Sequence, residues 1–128
     1  MDTVRDLIQS KPPLDLITTS PDALMAEAMR IMLDKGVHSL LVYEDEKMVG
    51  IVSDRDFSRK VLAQGLDQGT TTVADVMSRL VITIKPDASV MDTMRLMSEH
   101  GFRHLPVEED GRILGMVSWS DIMHDLLT

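Results

Sequence analysis

The 128-residue chain contains no cysteine, which excludes a disulfide framework, a thiolate nucleophile and any Cys-ligated zinc or iron–sulfur centre. A surplus of positive charge is missing as well. Against 21 Asp and Glu there are 13 Lys and Arg, a formal charge of −8, so a phosphate backbone is repelled over most of the surface and nucleic acid is not an expected partner. No apolar run approaches the roughly 18–20 residues of a membrane span. The opening MDTVRDLIQS lacks the basic and apolar regions of a secretory signal, so the expectation is a cytoplasmic protein without membrane contact. Also absent are a Ser-His-Asp spacing, paired catalytic carboxylates and an H-E-x-x-H motif. His100 and His124 fall near predicted helix ends, where capping or solvation suits them better than catalysis. No enzyme activity, catalytic cofactor or metal site is expected.

What is present is an ordinary globular composition, 44% apolar and 27% charged, sufficient for one structural unit or two small halves sharing a core. The chain also contains itself twice. Residues 21–62 align without a gap on residues 86–127, pairing PDALMAEAMRIM with PDASVMDTMRLM, GVHSLLV with GFRHLPV and GIVSDRD with GMVSWSD; about 16 of the 42 pairs are identical. Such self-similarity marks an internal duplication. A looser match, TVRDLI at 3–8 with TVADVM at 72–77, supplies each repeat with an opening segment. The expected organisation is repeat 1 over 1–66 with a lead-in helix, a linker at 67–71 within LAQGLDQGTTT, and repeat 2 over 72–128.

Each repeat reads strand, helix, strand, strand, helix, a mixed α/β (α+β) class. Short apolar runs at Leu14–Thr18 and Val81–Ile84 suit strands, and each is followed by Pro-Asp, well placed to open a helix. Leu24, Ala28, Ile31 and Met32 recur at helical spacing, as do Val90, Met94 and Met97, ahead of Gly36 and Gly101, which suit a left-handed cap. Two strands follow in each copy, Ser39–Tyr43 with Met48–Ser53, and Arg103–Val107 with Ile113–Ser118; in the second copy the Asp-Gly of EEDGR signals a hairpin. Helices from Asp54 to about Gln64 and from Trp119 to Leu127 close the repeats. About 60 residues bury only a modest core, so the halves are expected to pack together about a pseudo-twofold axis. Eleven methionines, among them Met25, Met29, Met32, Met91, Met94 and Met97, decorate the long helices. Core filling is their simpler role, although thioether surfaces also suit contact between subunits, so a homodimer through these helices is plausible.

Both copies carry Gly-apolar-apolar-Ser-x-x-Asp, ending in Ser53 and Asp56 or in Ser118 and Asp121. Taken singly, Ser-x-x-Asp between a strand and a helix is close to a capping box. Three features point beyond a cap: the usual return partner is the longer Glu or Gln, both copies choose Asp, and Gly with two apolar residues brings each serine to a helix amino terminus at a sheet edge, a place that attracts phosphate. A carboxylate there can accept both protons of a ribose 2′,3′-diol. Arg55 lies in the first motif, Arg103 and His104 sit on a strand of repeat 2, and His38 occupies the Arg103 position of repeat 1, so phosphate-binding cations are at hand. Ile17, Thr18, Ile82 and Thr83 are candidates to wall a slot for a flat base.

The duplicated pattern, with SPDA and KPDA ahead of helices, GFRHLPV, and the paired Ser-x-x-Asp motifs, resembles a tandem pair of cystathionine-beta-synthase (CBS) domains, the Bateman module, over about Thr3 to Leu127; the segment SDRDFSRK is similar to that of small bacterial members. The resemblance implies two βαββα repeats, dimerisation, and adenosine-containing ligands bound in clefts between repeats, AMP first, then ADP, ATP and NAD(H), with S-adenosylmethionine leaving the arginines without a phosphate to bind. It further implies that Asp56 and Asp121 hold ribose hydroxyls, that Ser53 and Ser118 lie near phosphate, and that Arg55 serves the Asp121 site. The copies are unequal: Asp54-Arg55 stands where repeat 2 has Trp119-Ser120, and without a cation at Ser120 equal occupancy is not expected. The function expected is that of a regulatory nucleotide sensor acting on a further protein; the alternative is a structural dimerisation module with vestigial pockets.

Overall fold

The computed structural model describes residues 3–9 and 17–127. In chain order its elements are α1 (Val4–Gln9), β1 (Thr18–Thr19), α2 (Met25–Lys35), β2 (Ser39–Glu44), β3 (Lys47–Ser53), α3 (Asp54–Asp56), a π-helix (Phe57–Leu62), α4 (Val73–Val76), α5 (Val90–His100), β4 (His104–Glu109), β5 (Arg112–Ser118) and α6 (Trp119–Leu127). Two compact units result. A central unit spans Leu16–Val81, and a terminal unit joins the described residues of Met1–Asp15 to those of Ile82–Thr128.

The duplication reappears in each unit as the same local structure. Helix α2 ends at Gly36 with φ 66° and α5 at Gly101 with φ 69°, the left-handed caps expected of those glycines. In both units an antiparallel hairpin follows, and its buried residues are equivalent: Leu40, Leu41 and Val42 in β2, Leu105, Pro106 and Val107 in β4. A β-bulge falls at matching places, between Val42 and Tyr43 and between Val107 and Glu108. Helix α2 buries Met25, Ala28 and Met32, and α5 buries Val90, Thr93 and Met97; each fully buried large side chain contributes about 1.5–3 kcal/mol. The hydroxyl of buried Thr93 donates to the Ser89 carbonyl at 2.9 Å, so no polar group is stranded there. Of the methionines singled out above, Met25, Met32 and Met97 lie in the cores and Met29 and Met94 pack against them, while Met91 is exposed.

The structure corrects several details. Leu14–Leu16 lie outside the described residues; of that predicted strand Thr18 belongs to β1, which pairs in parallel with β2 through Thr18–Leu41 and Thr19–Val42. Val81–Ile84 forms no strand but one parallel bridge, Ile84 to Val107, because only Ile84 engages both neighbours: its N–H donates to the Pro106 carbonyl and its carbonyl accepts from the Glu108 N–H, each at 2.9 Å. Pro21-Asp22 and Pro86-Asp87 lie in turns before the helices, which start at Met25 and Val90. The helix predicted from Asp54 is a single α turn that widens into the π-helix, with Ala63 N–H bonding the Ser58 carbonyl at 3.0 Å.

The segment predicted as a linker is structured. Thr71 is buried, and the carbonyls of Thr71 and Gln68 accept from Met25 N–H at 2.8 Å and Ala26 N–H at 3.0 Å. Leu24 offers no side-chain cap, and these carbonyls satisfy first-turn donors of α2 that would otherwise be orphaned. The opening segments pack with the opposite copy of the repeat. In the terminal unit, Val4 N–H donates to the Ala88 carbonyl and Arg5 N–H to the Pro86 carbonyl, both at 2.9 Å, with Val4 and Leu7 in the core. In the central unit, Val73 N–H donates to Ala23 and Ala74 N–H to Pro21, both at 2.8 Å.

Both hairpins turn through two residues with positive φ, as the type I′ turn requires. Asp110 (53°) and Gly111 (79°) follow the predicted Asp-Gly signal, whereas Asp45 (51°) and Glu46 (66°) force a glutamate into the left-handed region. Glu46→Gly removes that penalty and adds some unfolded-chain entropy; the expected net gain is about 0.5–1 kcal/mol. It is measured as a higher urea midpoint at unchanged slope.

Candidate functional site

The two carboxylates singled out by the repeat occupy equivalent positions, each one turn beyond the end of a β-strand. In the central unit, Ser53 N–H donates to Asp56 Oδ2 at 2.9 Å, the Ser53 hydroxyl donates to the same oxygen at 3.1 Å, and Asp56 N–H donates to Ser53 Oγ at 3.1 Å. In the terminal unit, Ser118 N–H donates to Asp121 Oδ2 at 2.9 Å and Asp121 N–H to Ser118 Oγ at 3.1 Å. These are complete capping boxes with Asp as the return partner. The choice of Asp over Glu is therefore no sign of a ligand: the same box forms at Thr3 with Asp6 and at Thr72 with Asp75.

Geometry nonetheless separates the two pairs. Asp6 and Asp75 are exposed, and their bonds from the capping backbone N–H are 3.3 Å long. Asp56 and Asp121 are part-buried, and the equivalent bonds are 2.9 Å. A carboxylate oxygen has two lone pairs, so a cap does not exhaust the acceptor capacity of either group, and partial burial strengthens whatever charge-assisted bonds it makes.

The central unit carries Asp56 together with the predicted residues Ile17, Thr18, His38, Ser53 and Arg55, of which Ser53 bonds to Asp56. Ile17 packs against the core and Thr18 is exposed on β1. His38 is not a spare cation. Its Nδ1 lies 2.8 Å from Asp54 Oδ2, and its carbonyl accepts from Asp54 N–H at 3.1 Å, so His38 is tied to the residue that opens α3. Arg55 is exposed in α3. The terminal unit carries Asp121 together with the predicted residues Ile82, Thr83, Arg103, His104, Ser118 and Ser120, of which Ser118 bonds to Asp121. His104 sits directly opposite Ser118 in the β4–β5 ladder, the Arg103 carbonyl accepts from Trp119 N–H at 2.8 Å, Ile82 packs against the core, and Ser120 is exposed in α6.

Lys60 escaped the sequence reading. Its Nζ lies 3.3 Å from Asp56 Oδ1 and donates to the Val76 carbonyl at 2.9 Å. The available signal was its i,i+4 spacing from Asp56. A groove of about 550 Å³ on the central unit, lined by Ser20, Pro21, Asp22, Tyr43, Glu44, Asp45, Thr72 and Ala74, contains none of the predicted site residues. It lies by the hairpin turn, away from Ser53, and its acidic lining disfavours phosphate. Among the described residues, no group of three or more His, Asp or Glu side chains is placed to hold a metal ion, and no helix is long and apolar enough to cross a membrane.

Comparison with known proteins agrees with the duplicated architecture. The chain is 35% identical over 111 residues to protein MK0525 of Methanopyrus kandleri, covering 85% of this chain and 57% of that relative's length; it thus spans little more than half of that protein. A solved structure of a protein with CBS domains from Burkholderia ambifaria superposes with a TM-score of 0.95 at 32% identity, covering 98% of this chain and 93% of the other. The CBS domain pair of protein MJ0100, crystallised with 5′-methylthioadenosine and S-adenosyl-L-methionine, superposes with a TM-score of 0.82 at 31% identity, covering 97% and 94%. The CBS domain profile matches residues 4–63 and again 73–128. With both copies matched and nearly the whole chain superposed, the protein belongs to the CBS-domain family and carries two CBS repeats.

Proposed function

We propose that the chain is a regulatory module that binds an adenosine-containing ligand, with a carboxylate at the strand-to-helix junction accepting the two ribose hydroxyls. The observation that carries this reading is the contrast among the capping aspartates: Asp56 and Asp121 alone of the reciprocal boxes described combine partial burial with short bonds. The serine locks each carboxylate in one rotamer, so little side-chain entropy is lost when a diol binds. Arg55, Arg103 and His104 are proposed to meet phosphate, and Ile17, Thr18, Ile82 and Thr83 the base, whereas His38 is engaged by Asp54. AMP leads the ligand order, followed by ADP, ATP and NAD(H). The adenosine ligands of the MJ0100 pair lack phosphate, which makes the nucleoside, and the diol above all, the shared element of recognition.

Binding regulates only if the ligand's energy differs between two arrangements of the protein, read by a partner or by a second copy. Leu33 and Met91, exposed on α2 and α5, are proposed to contribute to self-association, and charge placed there by Leu33→Glu with Met91→Glu is expected to shift sedimentation toward the monomer.

A thermal-shift panel of AMP, ADP, ATP, NADH and S-adenosylmethionine tests the ligand reading. At about 100 times Kd a ligand adds roughly 2.7 kcal/mol to stability, a shift of several degrees. Silence across the panel would favour the scaffold reading, in which each aspartate serves only as a helix cap.

A further inference from the structure

The two hairpins share their register and turns, yet the last residue of their first strands meets different company. In the terminal unit the Arg5 guanidinium donates to Glu109 Oε2 at 2.8 Å, tying α1 to the end of β4. The central unit repeats the backbone of this arrangement without the cation. Ala74 N–H donates to the Pro21 carbonyl at 2.8 Å as Arg5 N–H donates to the Pro86 carbonyl at 2.9 Å, so Ala74 stands in the arginine's place. Glu44, which ends β2, is the counterpart of Glu109, which ends β4. Beside Ala74 and Glu44 lies the groove of about 550 Å³, with Asp22, Tyr43 and Asp45 also in its lining. We propose that this groove docks an arginine side chain borne by a partner protein, which brings to Glu44 from outside the guanidinium that Arg5 brings to Glu109 from within.

Charge and shape both support a guanidinium. Among the described residues, Glu44 and Asp45 form no ion pair, and the Asp22 carboxylate accepts the Ser20 hydroxyl at 2.8 Å. Lys47 stands opposite Glu44 in the β2–β3 ladder, but Arg112 stands opposite Glu109 in the same way. Glu109 still takes Arg5, so a cross-strand cation leaves this carboxylate open to a second. Arg79 donates to the Ala74 carbonyl at 3.4 Å and is not part of the groove lining. Three carboxylates in one groove, on a chain of formal charge −8, attract a cation. Tyr43 stands where repeat 2 has Glu108 and adds an aromatic ring. A guanidinium forks onto a carboxylate and stacks on such a ring, whereas an ammonium is a compact, strongly hydrated point charge. The volume is that of a pocket for a molecule larger than a guanidinium, which leaves room for the backbone flanking an arginine. A free arginine would bring its own carboxylate against three others.

Amide chemical shifts of the full chain, titrated with the blocked peptide acetyl-Gly-Arg-Gly-amide, test the proposal; acetyl-Gly-Lys-Gly-amide is the probe of equal charge. The arginine peptide is expected to cause saturable shifts centred on Glu44, Asp45 and Ala74, and the lysine peptide to bind at least about threefold more weakly. Glu44→Gln is expected to weaken the arginine peptide about three- to fivefold, the worth of one solvent-exposed ion pair. Ala74→Arg, which installs the arginine of the other repeat, is expected to abolish the shifts, and Glu44→Gln decides the matter even if Ala74→Arg does not fold. No shifts at these residues, equal affinity for the two peptides, or either folded variant binding as wild type does overturns the proposal. Groove shifts that change on dilution without peptide would assign the groove to a second copy, and free arginine binding as tightly as the peptide would assign it to a small molecule; each overturns the partner reading. None of these outcomes involves Asp56 or Asp121, so the adenosine reading stands or falls separately.

Discussion

Asp121→Ala is expected to abolish adenosine binding while lowering stability by only about 1 kcal/mol, the ordinary cost of losing a helix cap. The carboxylate accepts the Ser118 N–H at 2.9 Å, and in the proposed complex it also accepts two ribose hydroxyls. Two charge-assisted bonds at about 1.5–3 kcal/mol each correspond to at least a hundredfold loss of affinity. The control is Asp75→Ala, which removes the return bond of an exposed box at Thr72. Similar destabilisation without loss of binding is expected there. Urea melts and adenosine titrations of the two variants provide the comparison, and equal binding by both would reduce Asp121 to a cap.

Gly50→Ala is expected to lower stability by roughly 2–3 kcal/mol, whereas Gly115→Ala, the same change at the equivalent place in the other repeat, is expected to stay within about 0.5 kcal/mol. A methyl on Gly50 would meet Met77 Sδ and the Ser78 carbonyl oxygen, both at 2.8 Å. Met77 could adjust, but the backbone at Ser78 is held by two bonds to Ile51, at 3.0 and 2.9 Å. On Gly115 the nearest atom is Ile8 Cγ2 at 3.8 Å, an ordinary contact. Thermal melts should show the Gly50 variant about 6–12 °C lower, and equal melting of the two variants would contradict the close approach of residues 77 and 78 to β3.

The glycine shared by GIVSDRD and GMVSWSD thus has a steric reason in one copy only, a difference that no sequence pattern encodes. Other features were legible because they are local. Hydrophobic spacing at Ala28 and Met32, the glycine caps at 36 and 101, and the Asp-Gly hairpin depend on contacts within a few residues, and these shape the chain wherever it goes. Val81–Ile84 was apolar enough for a strand, yet strand formation also needs a partner in register, and only Ile84 has one. The 67–71 segment reads as a linker because it is polar, lacks apolar periodicity and contains a glycine, and its carbonyl bonds to the first turn of α2 are contacts that local composition does not encode.

The duplication, the helix and hairpin of each copy and the paired Ser-x-x-Asp motifs were determined by the sequence itself, because repetition and short-range periodicity are properties of the chain. Tertiary structure decided which opening segment joins which core, and which capping aspartates are part-buried. It also decided that the Asp56 carboxylate meets the Lys60 ammonium. Burial and pairing depend on groups brought together from distant parts of the chain, such as Lys60 and the carbonyl of Val76, and identical motifs acquire different chemistry from different neighbours.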